Sequence, residues 1–168
     1  MTLVIHPETS ADIDAIDAVT RAAFLDHPHS RQTEQFIVRA LRATGALTVS
    51  LVAVEDGSII GHIAFSPLII ADGAAGWYGV GPLSVTPGRQ RRGIGGRLVQ
   101  AGLERLRTLG AQGCALVGDP AYYGRFGFAN DPALVLEGVS QEYFMALRLG
   151  DAPARGKVVF HAAFVATG

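Results

Sequence analysis

The chain has 168 residues, 49% hydrophobic and 17% charged, with a formal net charge of −1. That length suits one packed domain over residues 1–168, and that composition is globular rather than disordered. Near-neutral charge removes any bulk drive toward nucleic acid or an anionic membrane, and one cysteine, Cys114, excludes an intrachain disulfide or a cysteine-built metal site.

The opening MTLVIHPETS has neither the basic nor the apolar run of a secretory leader. No apolar stretch is long enough for a bilayer span, so a cytoplasmic location is expected. Residues 3–5 read as a short strand. Thr9 or Ser10 can cap a helix with Asp12 and Asp14 in its first turn and Ile13, Ile16, Val19, Ala23 and Phe24 on one face. Residues 25–31 (LDHPHSR) break it. His27 and His29 lack a third metal ligand and read as a polar loop. A second helix is expected over 33–43, with Phe36, Ile37, Ala40 and Leu41 inward and Gly45 closing it.

Residues 47–55 and 59–70 read as strands joined through Asp56-Gly57-Ser58. Asp72-Gly73 then turns the chain into a third strand over 77–85, giving an antiparallel meander. His62 in the middle strand reads as a buried, hydrogen-bonded histidine, with a catalytic base as the alternative.

The stretch 80–109 carries the most chemistry. A strand runs into Pro87-Gly88, then Gln90, Arg91, Arg92, Gly93, Ile94, Gly95 and Gly96, then an amphipathic helix. Glycines let successive N–H groups converge, and the helix start adds unpaired donors and a positive dipole end. Arg91 and Arg92 add charge suited to phosphate. A Walker loop would need Lys followed by Ser or Thr where Arg97-Leu98 stands, and Gly93-Ile94-Gly95-Gly96 is not a GxGxxG.

The helix turns Leu98, Val99, Leu103, Leu106 and Leu109 toward the sheet, Gly102 permits close packing, and Gly110 ends it. Residues 113–117 read as a buried strand of a mixed sheet with Cys114 in the core. Asp119 and Pro120 can open a short helix that Gly127 stops, on which Tyr122 and Tyr123 point about 100° apart. Residues 134–136, 143–149 and 157–164 read as closing β structure, the last two strands as a long hairpin.

Gln90-Arg91-Arg92-Gly93-Ile94-Gly95 resembles the Q/R-x-x-G-x-G/A signature of the GCN5-related N-acetyltransferase (GNAT) superfamily, and residues 81–128 are similar to its YhbS-like group. The resemblance implies a mixed α/β (α+β) fold, with a mostly antiparallel central sheet, a splayed strand pair and flanking helices. It implies acetyl-CoA as co-substrate and no metal. Leu83 and Val85 would offer backbone groups to the pantetheine arm, and Gln90, Arg91, Arg92, Gly93, Ile94, Gly95 and Gly96 would hold the pyrophosphate.

Tyr123, Gly127 and Phe128 match the family's Y-x-x-x-G-F element, which implies that Tyr123 protonates the departing thiolate. Tyr122 is the fallback and a further cofactor contact. Asp119-Pro120 stands where the family usually has Asn. The helix pair at the start of the chain would form one wall of the acceptor site, making His27, His29 and Glu34 contacts. Glu34 is then the base, against its reading as a solvated carboxylate in a first helical turn. His62 and His161 are the other base candidates, and Tyr143, Phe144, Met145 and His161 would border the acceptor.

The implied activity is direct acetyl transfer to a primary amine of a small molecule or a protein. A non-catalytic acyl-CoA binder and a nucleotide or dinucleotide enzyme are the alternatives. No nucleic-acid or membrane partner is expected, and a homodimer is compatible with the chain.

Overall fold

The computed structural model describes residues 2–168. Leu3–Pro7 (β1) leads through a 3₁₀ turn into helix Ile13–Phe24 (α1). A capping box closes that entry, the Thr9 N–H donating to Asp12 Oδ2 at 2.7 Å. Helix Glu34–Ala43 (α2) buries Gln35, Ile37, Val38 and Leu41. Its inward face is thus offset from the expected one: Phe36 and Ala40 are half-buried, and the polar Gln35 lies inside.

Val49–Glu55 (β2) and Ser58–Pro67 (β3) form the expected hairpin. Its turn residues Asp56 (φ 50°) and Gly57 (φ 81°) are both left-handed, as a tight I′ connection requires. The strand expected to continue to Ile70 stops at Pro67. Ile69–Ile70 (β4) leaves the main sheet, and Trp77–Val85 (β5) returns to it alongside β3.

Helix Ile94–Thr108 (α3) crosses the sheet at unusually close range, because a Cβ on Gly102 would fall 2.2 Å from the Phe65 ring. Gly113–Val117 (β6) then runs parallel to β5. Pro120–Tyr123 (α4) continues as a 3₁₀ turn to Phe126 and ends at Gly127, φ 96°. Leu134–Val135 (β7), Phe144–Arg148 (β8) and Gly156–Val159 (β9) complete the chain.

The main sheet has the order β1-β2-β3-β5-β6-β8, and β4-β9-β7 form a small second sheet. This corrects the expected closing hairpin. β8 pairs antiparallel with β6, while β9 pairs with β4 and β7. The reason is burial. Phe144 and Met145 cover the free edge of β6, Val158 fills a separate cluster with Ile70, Trp77 and Leu134, and residues 162–165 coil into a 3₁₀ turn whose Ala163 packs on α2.

The two faces of the main sheet differ. Leu51, Ile63 and Phe65 point to α3 with Leu98, Val99 and Leu106. Alternation sends Val52 the other way, where it packs with Ile16 of α1 and Val38 of α2. His62, opposite Val52 in register, lies on that second face.

Candidate active site

β5 and β6 stay together for three residue pairs only: Trp77 with Gly113, Tyr78 with Cys114, and Gly79 with Ala115. β6 goes on with β8, pairing Leu116 with Met145 and Val117 with Phe144, while β5 continues to Val85 paired with β3 only. The Thr86 N–H donates to Ile60 O on the β3 side at 2.8 Å. Backbone polar groups alternate sides along a strand, so those of Leu83 and Val85 face the wedge that β6 has left. Unpaired strand groups beside an opening form a ladder that an extended ligand can complete.

The loop at the end of β5 is braced by its own side chains. Arg89 Nε bonds Glu55 Oε1 at 2.7 Å, and the Gln90 amide donates to Val85 O at 3.0 Å. The Gln90 side chain of the expected phosphate grip, and Arg89 just ahead of it, are therefore committed to holding the loop in place. For Gln90 this leaves the main chain as its share of an anion site.

Arg91 (φ 64°) and Gly93 (φ 81°) are left-handed. Left-handed residues in a short turn aim successive N–H groups into one concavity. At Arg91, which carries a Cβ, that conformation costs about 1 kcal/mol or more, a strain that concentrates at functional loops. Gly93 begins α3 with no capping side chain, and the Arg97 N–H makes the bond back to Gly93 O at 3.1 Å. The N–H groups of Ile94, Gly95 and Gly96 consequently have no acceptor within the helix. Ile94 anchors the turn in the core, 5% exposed, while Arg91 and Arg92 are exposed. Free N–H donors and the positive end of the helix dipole come together at this turn, with the exposed Arg91 and Arg92 ahead of it.

α4 walls the opening. Asp119 caps it, Oδ1 accepting from the Ala121 N–H at 2.9 Å, with Pro120 at the first position. The two tyrosines diverge as expected. A Cβ on Gly95 would fall 2.7 Å from the Tyr122 hydroxyl, whereas the Tyr123 ring lies against Gly118 at the end of β6. Tyr123 meets Tyr122 edge-on at 4.9 Å and Phe128 at 6.0 Å between ring centroids. Burial, with a smaller push from Tyr122, raises the Tyr123 phenol to about 12. The hydroxyl therefore keeps its proton across the neutral range and is a donor there.

Leu83 and Tyr122 both approach Gly95 where β5, the start of α3 and α4 adjoin, and Tyr123 lies beside Tyr122 against Gly118. Glu34 heads α2, where its Oε1 accepts from the Ser30 hydroxyl at 2.6 Å. His27 Nδ1 accepts from the His29 N–H at 3.2 Å in an exposed loop, and His161 Nδ1 accepts from the Ala163 N–H at 3.0 Å as a helix cap. Phe144 and Met145 are core residues, while Tyr143 is 47% exposed. Cys114 is fully buried and its thiol is pushed up to about 12 by that burial, so it offers no thiolate. Among the described residues, no three His, Cys, Asp or Glu side chains stand together as metal ligands.

A second polar constellation lies under α1 and α2. The Glu8 carboxylate accepts from Arg42 Nε and Nη2, both at 3.0 Å, and from the Ser50 hydroxyl. Ser50 Oγ lies 2.7 Å from His62 Nε2. Burial raises the Glu8 carboxyl, but the bonds from Arg42 and Ser50 outweigh it and the net shift is downward. Burial lowers His62 to about 4, against the raising pull of Glu8. His62 Nδ1, Ser66 Oγ, Ser84 Oγ and Gln35 Oε1 are buried without partners. The only trace of this network in the sequence is polar residues inside apolar strand runs, Ser50 in VSLVAV and His62 in GHIAF.

A mixed sheet with two parted strands, a donor loop at their mouth and a helix start after it is the α/β architecture of the acyltransferase class. A profile of the Acetyltransferase (GNAT) family matches residues 15–128, and the chain belongs to that family. The uncharacterized N-acetyltransferase YhbS of Escherichia coli K12 is 37% identical over 127 residues, 75% of this chain and 73% of that protein. Among solved structures, a GNAT family acetyltransferase from Brucella melitensis in complex with acetyl-CoA is 48% identical. It superposes with a TM-score of 0.86 over 97% of this chain and 98% of that one. E. coli YhbS in complex with CoA is 34% identical, with a TM-score of 0.89 over 99% and 93%.

Proposed function

We propose that this chain is an acetyl-CoA-dependent N-acetyltransferase that moves the acetyl group directly to a primary amine. The observation that carries the reading is the edge of β5 that β6 leaves, free at Leu83 and at the Val85 N–H, running into the donor loop at residues 91–96. An extended pantetheine arm fits the first and a pyrophosphate fits the second. Family membership and the likeness to two proteins solved with acetyl-CoA and with CoA support it.

Leu83 and Val85 hold the arm and orient the thioester, with a backbone N–H polarising its carbonyl. Arg91 to Gly96 bind the pyrophosphate, Arg91 and Arg92 by charge and the rest by main-chain donors. Tyr122 sits over Gly95 as a wall of that site. Tyr123 faces the sulfur. A phenol at about 12 is a weaker acid than a thiol near 8.5, so complete transfer to a free thiolate runs uphill. Tyr123 therefore donates a hydrogen bond to the sulfur as charge develops, and the proton that ends there comes from the attacking nitrogen. Glu34, with Ser30, holds the acceptor's ammonium group at the head of α2. Cys114 takes no part, and no acyl-enzyme forms.

Incubating the protein with acetyl-CoA and a panel of primary amines, while following free thiol, tests the reading. Thiol release matched by acetylated amine is expected. Thiol release no faster than acetyl-CoA hydrolysis for every amine would leave a binder of acyl-CoA without transferase activity.

A further inference from the structure

Among the described residues, Arg39, Arg42, Arg89, Arg148 and Lys157 each meet a carboxylate. Arg125 meets none, yet its guanidinium is held. Its Nε–H donates to Tyr122 O at 3.1 Å. Its Cζ stands 4.3 Å from the Tyr122 ring centroid and 5.3 Å from that of Phe126. The side chain is exposed, and the bond from Nε leaves its Nη hydrogens without a protein acceptor. Ordering an arginine at the surface costs side-chain entropy that a freely solvated charge keeps. A fork set in place in advance, with its donors free, is suited to binding.

The two rings that carry Arg125 lie on the first turn of α3. A Cβ on Gly95 would fall 2.7 Å from the Tyr122 hydroxyl, and one on Gly96 would fall 3.3 Å from the Phe126 ring. The rings meet each other at 5.6 Å between centroids. One layer of aromatic side chain therefore separates Arg125 from the turn whose free N–H groups suit a pyrophosphate. CoA carries one phosphate more, a monoester on the 3′ carbon of its ribose. Such a group has a charge of about −1.5 to −2 near pH 7. It sits a few bonds from the pyrophosphate, on the side away from the pantetheine arm.

We propose that Arg125 binds the 3′-phosphate of CoA and makes this site selective for CoA over 3′-dephospho-CoA. The proposal rests on the cofactor half of the reading above. Arg91 and Arg92, ahead of the turn, serve the pyrophosphate, and Arg125, on the α4 side of it, serves the monoester. Tyr122 and Phe126 are positioning residues. Their rings carry the guanidinium, and Tyr122 O occupies its Nε–H, which leaves the Nη edge for the ligand. An arginine fork can donate two parallel bonds to one phosphate, where a lysine would bring only a point charge. With a formal net charge of −1 the chain exerts no general pull on a polyanion, so the preference depends on placed guanidinium groups.

Calorimetric titration of the full chain with CoA and with 3′-dephospho-CoA tests this in the wild type, R125M and R92M. The two ligands differ only in the 3′-phosphate. The wild type should bind CoA about tenfold more tightly than 3′-dephospho-CoA, the worth of one charge-assisted contact. R125M keeps an apolar stem on the rings and loses the charge. It should bind CoA about tenfold more weakly than the wild type and 3′-dephospho-CoA within about twofold of it. R92M should weaken both ligands alike. Equal affinity of the wild type for the two ligands would overturn the proposal and leave the cofactor reading standing. An R125M protein that loses both ligands equally would place the guanidinium on the adenine or the pyrophosphate and would also overturn it. So would an R125M protein that keeps the wild-type preference, or loss of that preference in R92M alone. R125Q makes the same comparison if R125M does not fold. Folded wild type that binds neither ligand would overturn the cofactor reading, and this proposal with it.

Discussion

Lowering the pH from 7.5 to 5 should cost the fold about 2 kcal/mol through His62 alone. A histidine in the unfolded chain titrates near 6.5, whereas burial holds this one at about 4. Between those values the unfolded chain binds the proton and the native protein does not, so stability falls as pH falls. The contribution is complete above pH 6.5, is reduced by about 2 kcal/mol at pH 5, and by about 3 kcal/mol near pH 4. His62 is fully buried, so solvent screening takes little from this figure. Glu8 acts in the same direction but lower on the scale. Its folded pKa is depressed, so its stabilisation is present above the usual carboxylate range and is lost as pH falls through the folded value. Urea unfolding followed by the fluorescence of the single, buried Trp77 gives the free energies at both pH values. H62Q supplies the control, since its stability should change less over the same interval. Equal unfolding free energies for the wild type at pH 7.5 and 5, or the same pH slope in H62Q, would refute the reasoning.

Gly102→Ala should destabilise the protein by about 1–3 kcal/mol despite a better helix propensity, because the new Cβ would fall 2.2 Å from the fully buried Phe65 ring. A thermal midpoint at or above that of the wild type would contradict the close packing of α3 on β3. Gly95→Val should weaken acetyl-CoA binding about tenfold or more in calorimetry with an unchanged circular dichroism spectrum, by obstructing the first turn of α3 beneath the Tyr122 hydroxyl. Unchanged affinity would remove Gly95 from the anion site. Tyr123→Phe should leave acetyl-CoA affinity intact and lower kcat about 10- to 100-fold, the worth of one hydrogen bond to a developing charge. An unaltered kcat, where chemistry limits turnover, would return Tyr123 to packing against Phe128.

The parts of this fold that could be read from the sequence are those written locally. Asp56-Gly57 marks its own hairpin, Asp119-Pro120 opens α4, and Gly102 announces a close approach. The loop at residues 90–96 carries both its glycines and its arginines in one run. What escaped depends on partners far along the chain. Gly150–Gly156 looks like a hairpin connection, yet β8 and β9 go to different sheets because β6 and β4 offer better burial. Ile69 and Ile70 continue the apolar pattern of β3, and only the β9 pairing reveals that they leave the sheet. Gln90 reads as a ligand contact, but its amide finds Val85 five residues back. The Glu8–Ser50–His62 line joins the residue after β1 to β2 and β3, with Glu8 and Ser50 42 positions apart. No window along the chain displays it. Glu34 was legible as a carboxylate in a first helical turn, and its bond to Ser30 agrees with that simple reading as much as with an acceptor contact.

Calorimetric titration of the folded protein with acetyl-CoA, and with CoA, ATP and NAD in parallel, tests the central claim most directly. Binding of acetyl-CoA and CoA, without binding of ATP or NAD, is the predicted result. Folded protein that binds neither acetyl-CoA nor CoA would contradict the assignment of the β5 edge and the residue 91–96 loop to that ligand.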